Sequence, residues 1–366
     1  MLSELVPSDT IKLVDENCFP EIFSLVKEQD AARIGQLIES RKPVILDTIE
    51  AQLEELFKLR QPSSGWSQSE FQLAVRARLG EHPEAYGIWV YYSWRNALVH
   101  LLNEEEFREV RTNRNMLKIT KEEQAKLAKA SIGIIGMSVG SGVTMALAME
   151  CIGGELRIAD LDRLDLSNLN RLRSGVTNLS LLKTTIVARE IAEVDPFIQV
   201  TIFDQGVTDE NIDDFLSTNG SQLDVLVEEC DNIRIKILAR LKARSLGIPV
   251  VMETSDRGML DVERFDLDAS IGILHGRFTD DECLHLVETG EWTQETMMKL
   301  MRVDELSDRM KVSLSEMGKT ISRWPQLASE VTMGAGVVAQ VVRMILLGND
   351  RISGRKFLDV DEFFMD

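Results

Sequence analysis

The chain predicts an α/β fold built on a doubly wound, Rossmann-like sheet, with an N-terminal, mostly helical extension in front of it. Three observations carry that expectation. Between residues 130 and 265, short apolar runs alternate with helical patterns, the signature of a parallel sheet. The first run enters a glycine-rich turn, SIGIIGMSVGSG at 131–142, which opens a helix. The second run, ELRIA, ends on Asp160, where such sheets place a carboxylate for ribose hydroxyls.

Taken in order, residues 1–110 form the extension. Within Asp30–Leu59 apolar side chains recur at helical spacing: Ile34, Leu37 and Ile38, then Ile45, Leu46, Ile49, Leu53 and Leu56. Gln61–Gly65 is a turn and Phe71–Leu79 a short helix. Ile88–Phe107 carries Trp89, Tyr91, Tyr92 and Trp94, an aromatic stripe of core type rather than a ligand box. Thr120–Lys129 is a helix with a capping-box pattern, Thr120 and Glu123. The second domain runs from 111 to 366, with a core at 130–265 and an extension at 266–366. After the glycine turn come a small-residue helix (Val143–Cys151), the ELRIA strand, a helix (Leu181–Val194) and a strand (Gln199–Phe203). A short helix (Asn211–Leu216), the buried strand DVLV, a helix (Ile233–Ser245) and a strand (Pro249–Glu253) complete the core. In the extension, Glu291–Asp308 and Ala328–Leu347 are helical, and Lys356–Asp366 is a strand with an acidic end.

Composition narrows the function classes. A formal net charge of −19 excludes a broad basic footprint for nucleic acid. Any phosphate site is then built from local cations and metal, against an unfavourable overall field. The four cysteines, Cys18, Cys151, Cys230 and Cys283, form no CxxC pair, which disfavours zinc and a disulfide framework. The four histidines show no metal spacing. The first residues lack a signal-peptide pattern, and no run of about 18 apolar residues stands out to span a membrane. The expected location is cytoplasmic, without membrane or nucleic-acid partners.

Gly136, Gly140 and Gly142 make GxxxGxG rather than GxGxxG, with Ser138 in the place of the second glycine. A tight crossover without ligand fits this turn as well as a phosphate loop does. Asp160 alone would also suit a dehydrogenase. The residues after it do not: Asn168, Asn170 and Arg171 come directly after, and Lys183 twelve residues later. Two fixed cations beside a phosphate loop suit charge developing on a triphosphate. Asp231, in Glu229-Cys230-Asp231-Asn232 after DVLV, sits at a strand end and can hold Mg²⁺ directly or through water.

These motifs resemble the ThiF/MoeB family of ubiquitin-activating-like adenylyltransferases. DLDRLDLSNLNR is similar to the family's DxDxVxxSNLxRQ, and ECDN to its (T)DN motif. RTNRNMLKITKEEQAKLAKASIGIIG is similar to its lead-in, and the likeness runs from about Arg111 to Phe265. The segment YYSWRNALVHLLNEEEFREVRTNRN resembles a bacterial subgroup whose ThiF-like domain is often joined to a nitroreductase-like one. The resemblance implies an ATP- and Mg²⁺-dependent enzyme that activates a carboxylate as acyl-adenylate, with release of pyrophosphate. It implies that Asp160 binds ribose, that Arg171 and Lys183 stabilise the phosphates, and that Asp231 holds Mg²⁺. Gly136, Ser138, Gly140, Asp162, Asn168 and Asn170 complete the nucleotide set. Arg114 matches an arginine that reaches the partner subunit's site, which implies a homodimer. The acceptor would be a small protein or peptide. Leu172 stands where the family has glutamine, and the paired CxxC motifs are missing.

Relatives that pass the acyl group to a thioester need a nucleophilic cysteine, and Cys283 lies in the matching part of the chain. Its neighbours Asp280, Asp281 and Glu282 raise a thiol pKa, so a packing role is the expectation. Two other functions stay open: a nucleotide-binding scaffold without chemistry, and an NAD-binding oxidoreductase. The latter gives no role to Asn168, Arg171 and Lys183.

Overall fold

The computed structural model describes residues 17–218 and 220–365. The chain divides into two compact units. The first holds residues up to Lys121 together with Ile191–Phe197; the second holds Glu122–Glu190 and Ile198–Asp366.

In the first unit the order is β1 (Glu21–Phe23), α1 (Glu28–Arg41), β2 (Val44–Asp47), α2 (Ile49–Arg60), α3 (Gln68–Leu79), β3 (Ile88–Tyr92), β4 (Ala97–Leu101) and α4 (Glu104–Arg111). The four strands form one sheet in the order β1-β3-β4-β2, with β2 parallel to β4 and the other pairs antiparallel. Two stretches expected as helix are therefore strand. Ile45 and Leu46 lie on β2 and are half exposed. The aromatic stripe is a hairpin that turns at Asn96, whose φ is +45°. The physical reason is a period of two. Trp89 and Tyr91 pack with Phe23, Ile34 and Leu37, while Val90 and Tyr92 pack on the opposite face with Ala192. With both faces apolar, the alternation is hidden. The expectation of an aromatic core holds. Helix α3 is closed by a Ser67–Glu70 capping box.

The second unit follows α5 (Lys121–Leu127) with β5 (Ser131–Ile135), α6 (Gly140–Met149), β6 (Glu155–Ala159), α7 (Lys183–Val194), β7 (Gln199–Phe203), α8 (Ile212–Leu216), β8 (Val225–Glu228), α9 (Ile233–Leu246), β9 (Val250–Thr254) and β10 (Met259–Glu263). Then come α10 (Ile273–Gly276), α11 (Asp280–Thr289), α12 (Gln294–Met301), α13 (Asp308–Glu316), α14 (Ala328–Leu346), β11 (Gly354–Phe357) and α15 (Val360–Phe363). Seven strands form one sheet in the order β11-β10-β9-β8-β5-β6-β7. The five from β9 to β7 are parallel; β10 and β11 add antiparallel. This is the doubly wound α/β architecture. The chain leaves β5 toward β6 and β7 on one side and returns to β8 and β9 on the other, so the strand order reverses between β5 and β8. Ligands of such sheets bind outside the strand carboxyl ends at that point. Every residue of β5 and β8 is buried, as parallel strands covered on both faces require.

The helical stretch expected at Glu291–Asp308 is broken at Arg302, which adopts φ +48° and closes α12; α13 starts afresh under a Ser307 cap. Helix α14 is long and apolar enough to cross a membrane by length and composition, contrary to the expectation that no such stretch exists. Here it is a core helix: Val331, Ala335, Val338, Ala339 and Val342 are buried, and it packs on α6 and β9. Between α9 and the sheet lies a buried ionic group. Arg240 donates to Glu228 and to Glu263, and Lys236 to Glu228. Burial pushes the Glu228 carboxyl up, but Lys236 and Arg240 outweigh it and hold the pKa at about 2.

Candidate active site

At the end of β5 the backbone turns sharply. Gly136 has φ +92°, and a Cβ there would stand 2.7 Å from the Glu229 carbonyl oxygen, so only glycine fits. Its N–H donates to Ala159 O, binding the turn to β6. The other two glycines serve packing. A Cβ on Gly140 would meet Ile134 at 2.7 Å, and one on Gly142 would meet the Ala335 Cβ at 2.9 Å. The spacing GxxxGxG thus seats α6 tightly between β5 and α14, and leaves Ser138 at the tip of the loop.

Asp160 joins the turn to the next strand end. Its Oδ2 accepts the Met137 N–H at 2.6 Å, and its Oδ1 accepts the Asp162 N–H at 2.7 Å. Burial raises its pKa; Lys183 and the two N–H groups oppose this. Lys183, itself buried, donates to Asp162 at 2.7 Å and lies 4.0 Å from Asp160. Asp160, Asp162 and Lys183 therefore form one connected corner, in which Lys183 pairs closely with Asp162 and more distantly with Asp160.

The Asn–Arg cluster occupies a short turn, Leu166–Asn170, after β6. Asn168 is buried and accepts the Asp165 N–H, so it shapes the turn. Arg171 donates to Asn170 Oδ1 at 3.0 Å and reaches Ser138 Oγ at 3.4 Å, across the mouth of the loop. Burial lowers its pKa; the Asp231 charge opposes this and Arg323 adds to it. The Arg171 Nε is buried with no hydrogen-bond partner among the described residues. A buried guanidinium N–H without an acceptor, beside a Gly-Ser loop and a helix N-terminus, is suited to an anion. Asp231 is exposed, three residues beyond β8, and no ion pair engages it among the described residues.

The structure thus brings together Gly136, Ser138, Gly140, Asp160, Asp162, Asn168, Asn170, Arg171, Lys183 and Asp231 around the strand-order reversal. Arg114 stands in the first unit, exposed on the 3₁₀ turn Asn113–Asn115. Cys283 is fully buried on α11, and burial with Asp280 pushes its thiol up to about 11, which agrees with the packing role. Two features escape sequence reading. Arg323 pairs with Asp165 at 3.5 Å, and the Gln326 carbonyl accepts from Asn170 at 2.8 Å. Both come from some 150 residues away, and no local pattern marks them. Glu253 is the other: a buried carboxylate on β9 with neither oxygen partnered among the described residues.

The chain has relatives among known proteins. The ThiF family model matches residues 112–363. Over 275 residues the chain is 42% identical to the uncharacterized protein MT1398 of Mycobacterium tuberculosis (strain CDC 1551 / Oshkosh), covering 74% of this chain and 38% of that protein. It is 30% identical over 133 residues to a tRNA threonylcarbamoyladenosine dehydratase of Haemophilus influenzae, covering 35% and 49%. Over 120 residues it is 25% identical to ubiquitin-like modifier-activating enzyme 5 of Drosophila virilis, covering 31% and 30%. The chain spans half or less of the length of each of these relatives.

Proposed function

The chain belongs to the ThiF family, and from that premise we propose that its second unit binds ATP and adenylates a carboxylate. The acceptor's carboxylate oxygen attacks the α-phosphorus, the bond to the bridging oxygen breaks, and pyrophosphate leaves. The relative named for activating a ubiquitin-like modifier supports a small protein or peptide as acceptor.

The single observation that carries this reading is Arg171, whose Nη2 reaches Ser138 Oγ and whose Nε is buried and unpartnered among the described residues. Charge moves onto the leaving pyrophosphate in the transition state, and a fixed cation there lowers the barrier without reorganisation. Asp160 keeps acceptor capacity for ribose hydroxyls while its existing bonds hold the Gly136 turn. Lys183, paired with Asp162 and near Asp160, supplies the second cation when phosphate competes for it. No group of three or more candidate metal ligands exists among the described residues. Asp231 would therefore hold Mg²⁺ together with triphosphate oxygens and water, a donor set this ion accepts. Bound there, it would neutralise phosphate charge. Arg114, as an arginine contributed across a homodimer, would complete the site.

Pyrophosphate–ATP exchange with candidate peptides tests this reading. Exchange should appear with an acceptor and fall about 10²–10³-fold in Arg171→Ala, the loss typical of one transition-state donor. ATP binding without exchange for any acceptor would favour a scaffold instead.

A further inference from the structure

A groove enclosing about 1130 Å³ opens at the carboxyl end of β9, between the Ser255–Gly258 turn, α13, the start of α14 and the segment Leu358–Glu362. It exceeds the ~300–1,000 Å³ typical of small-molecule sites. Its wall includes Pro325 and Leu327, which flank Gln326, the residue whose carbonyl holds Asn170 beside Arg171. One wall of the groove and the contact to Asn170 therefore share a single segment of chain, Pro325–Leu327.

Its charge is one-sided. Seven carboxylates and three cationic side chains line it, an excess of four negative charges. Arg257 is already engaged by Asp359 and Glu362. Glu330 projects from the first turn of α14, and its pKa is raised by burial, which the Leu327 N–H opposes and the Asp256 and Asp361 charges reinforce. No ion pair engages Glu330 or Asp361 among the described residues. An excess of like charge is costly, and a cation brought by a ligand beside Glu330 and Asp361 would offset it. Leu306, Met333 and Val360 add apolar contact beside them.

We propose that this groove receives the acceptor as an extended peptide segment, with its C-terminal carboxylate directed toward the nucleotide site past Asn170 and Lys or Arg side chains facing Glu330 and Asp361. The proposal rests on the adenylation reading for the fate of the carboxylate, but not for the binding. Glu330 lies four positions after Gln326, with three residues between them, which places the basic positions roughly two to five residues before the terminus, at ~3.3 Å per extended residue. A small metabolite would leave most of the groove unfilled.

The test uses the full chain and two fluorescent hexapeptide pools ending in a free glycine carboxylate. One pool carries Lys at the three positions before it, the other Glu. By anisotropy, wild type should bind the Lys pool at least about tenfold tighter than the Glu pool. In Glu330→Gln/Asp361→Asn the ratio should shrink to within about twofold, and Glu330→Lys alone should lower it in the same direction. General attraction to a chain of charge −19 would survive removal of two charges, so that loss locates the site. Arg171→Ala should still bind the Lys pool while losing exchange. Unchanged Lys preference in both groove variants, or no binding of either pool, would overturn the groove assignment. Selective binding without exchange would leave the groove standing and remove the adenylation reading. Exchange without charge preference would do the reverse.

Discussion

Glu253 shows how a single residue couples the site to pH. Its carboxylate lies against Gly334, where an added Cβ would stand 2.3 Å from the carboxyl group, so α14 makes room for it. Burial, and then the Glu330 charge, push its pKa up to about 8. Next to it, Glu229 accepts the Glu253 N–H, and burial raises its own pKa, with the Glu253 charge adding to that. The protonated form is therefore favoured in the folded state, while the unfolded group titrates near 4.5. Between those values the folded state binds more protons, so stability is greatest at the acid end and falls as pH rises toward 8. Thermal unfolding measured from pH 5 to 8 should show this decline. Glu253→Gln keeps the shape and removes the ionisation, so it should flatten the slope and raise stability at pH 8, by on the order of a few kcal/mol. An unchanged slope would show that Glu253 is not the titrating group.

At the level of elements, the decisive packing is α6 between β5 and α14. Gly140 and Gly142 lie on this helix, and Gly142 meets Ala335 with no room for a methyl group. Gly142→Val should cost about 1–3 kcal/mol by overpacking, read as a lower denaturant midpoint with little change in slope. Because α6 carries the Ser138 loop at its start, ATP affinity should fall with it. The same helix shows what a sequence can and cannot disclose. Gly136, Asp160 and Lys183 are legible because each sits at a strand or helix end fixed by local pattern. Asn168 is legible too, although it shapes its own turn. The reason for GxxxGxG is hidden, since the partner of Gly142 is on α14, nearly two hundred residues on. The β3–β4 hairpin reads as helical because both its faces are apolar. Arg323 and Gln326 become visible only when tertiary contacts bring them to Asp165 and Asn170.

For the whole molecule, the question is whether one chain completes its own site. Every residue assigned to nucleotide binding belongs to the second unit, while Arg114 belongs to the first. If Arg114 acts across a homodimer, the site divides into a cis part led by Arg171 and a trans part supplied by the partner. Arg114→Ala and Arg171→Ala should each be inactive as purified homodimers. Mixed in equal amounts and allowed to exchange subunits, half the dimers become heterodimers. In each of these, the site with an intact Arg171 faces a partner with an intact Arg114, and the other site lacks both. Exchange activity should therefore recover to about a quarter of wild type, as random pairing of identical subunits requires. If Arg114 served its own chain, the heterodimer would carry one defect in each site and the mixture would stay as inactive as its components. A monomer would give the same silence, and sedimentation of the wild-type chain separates the two cases.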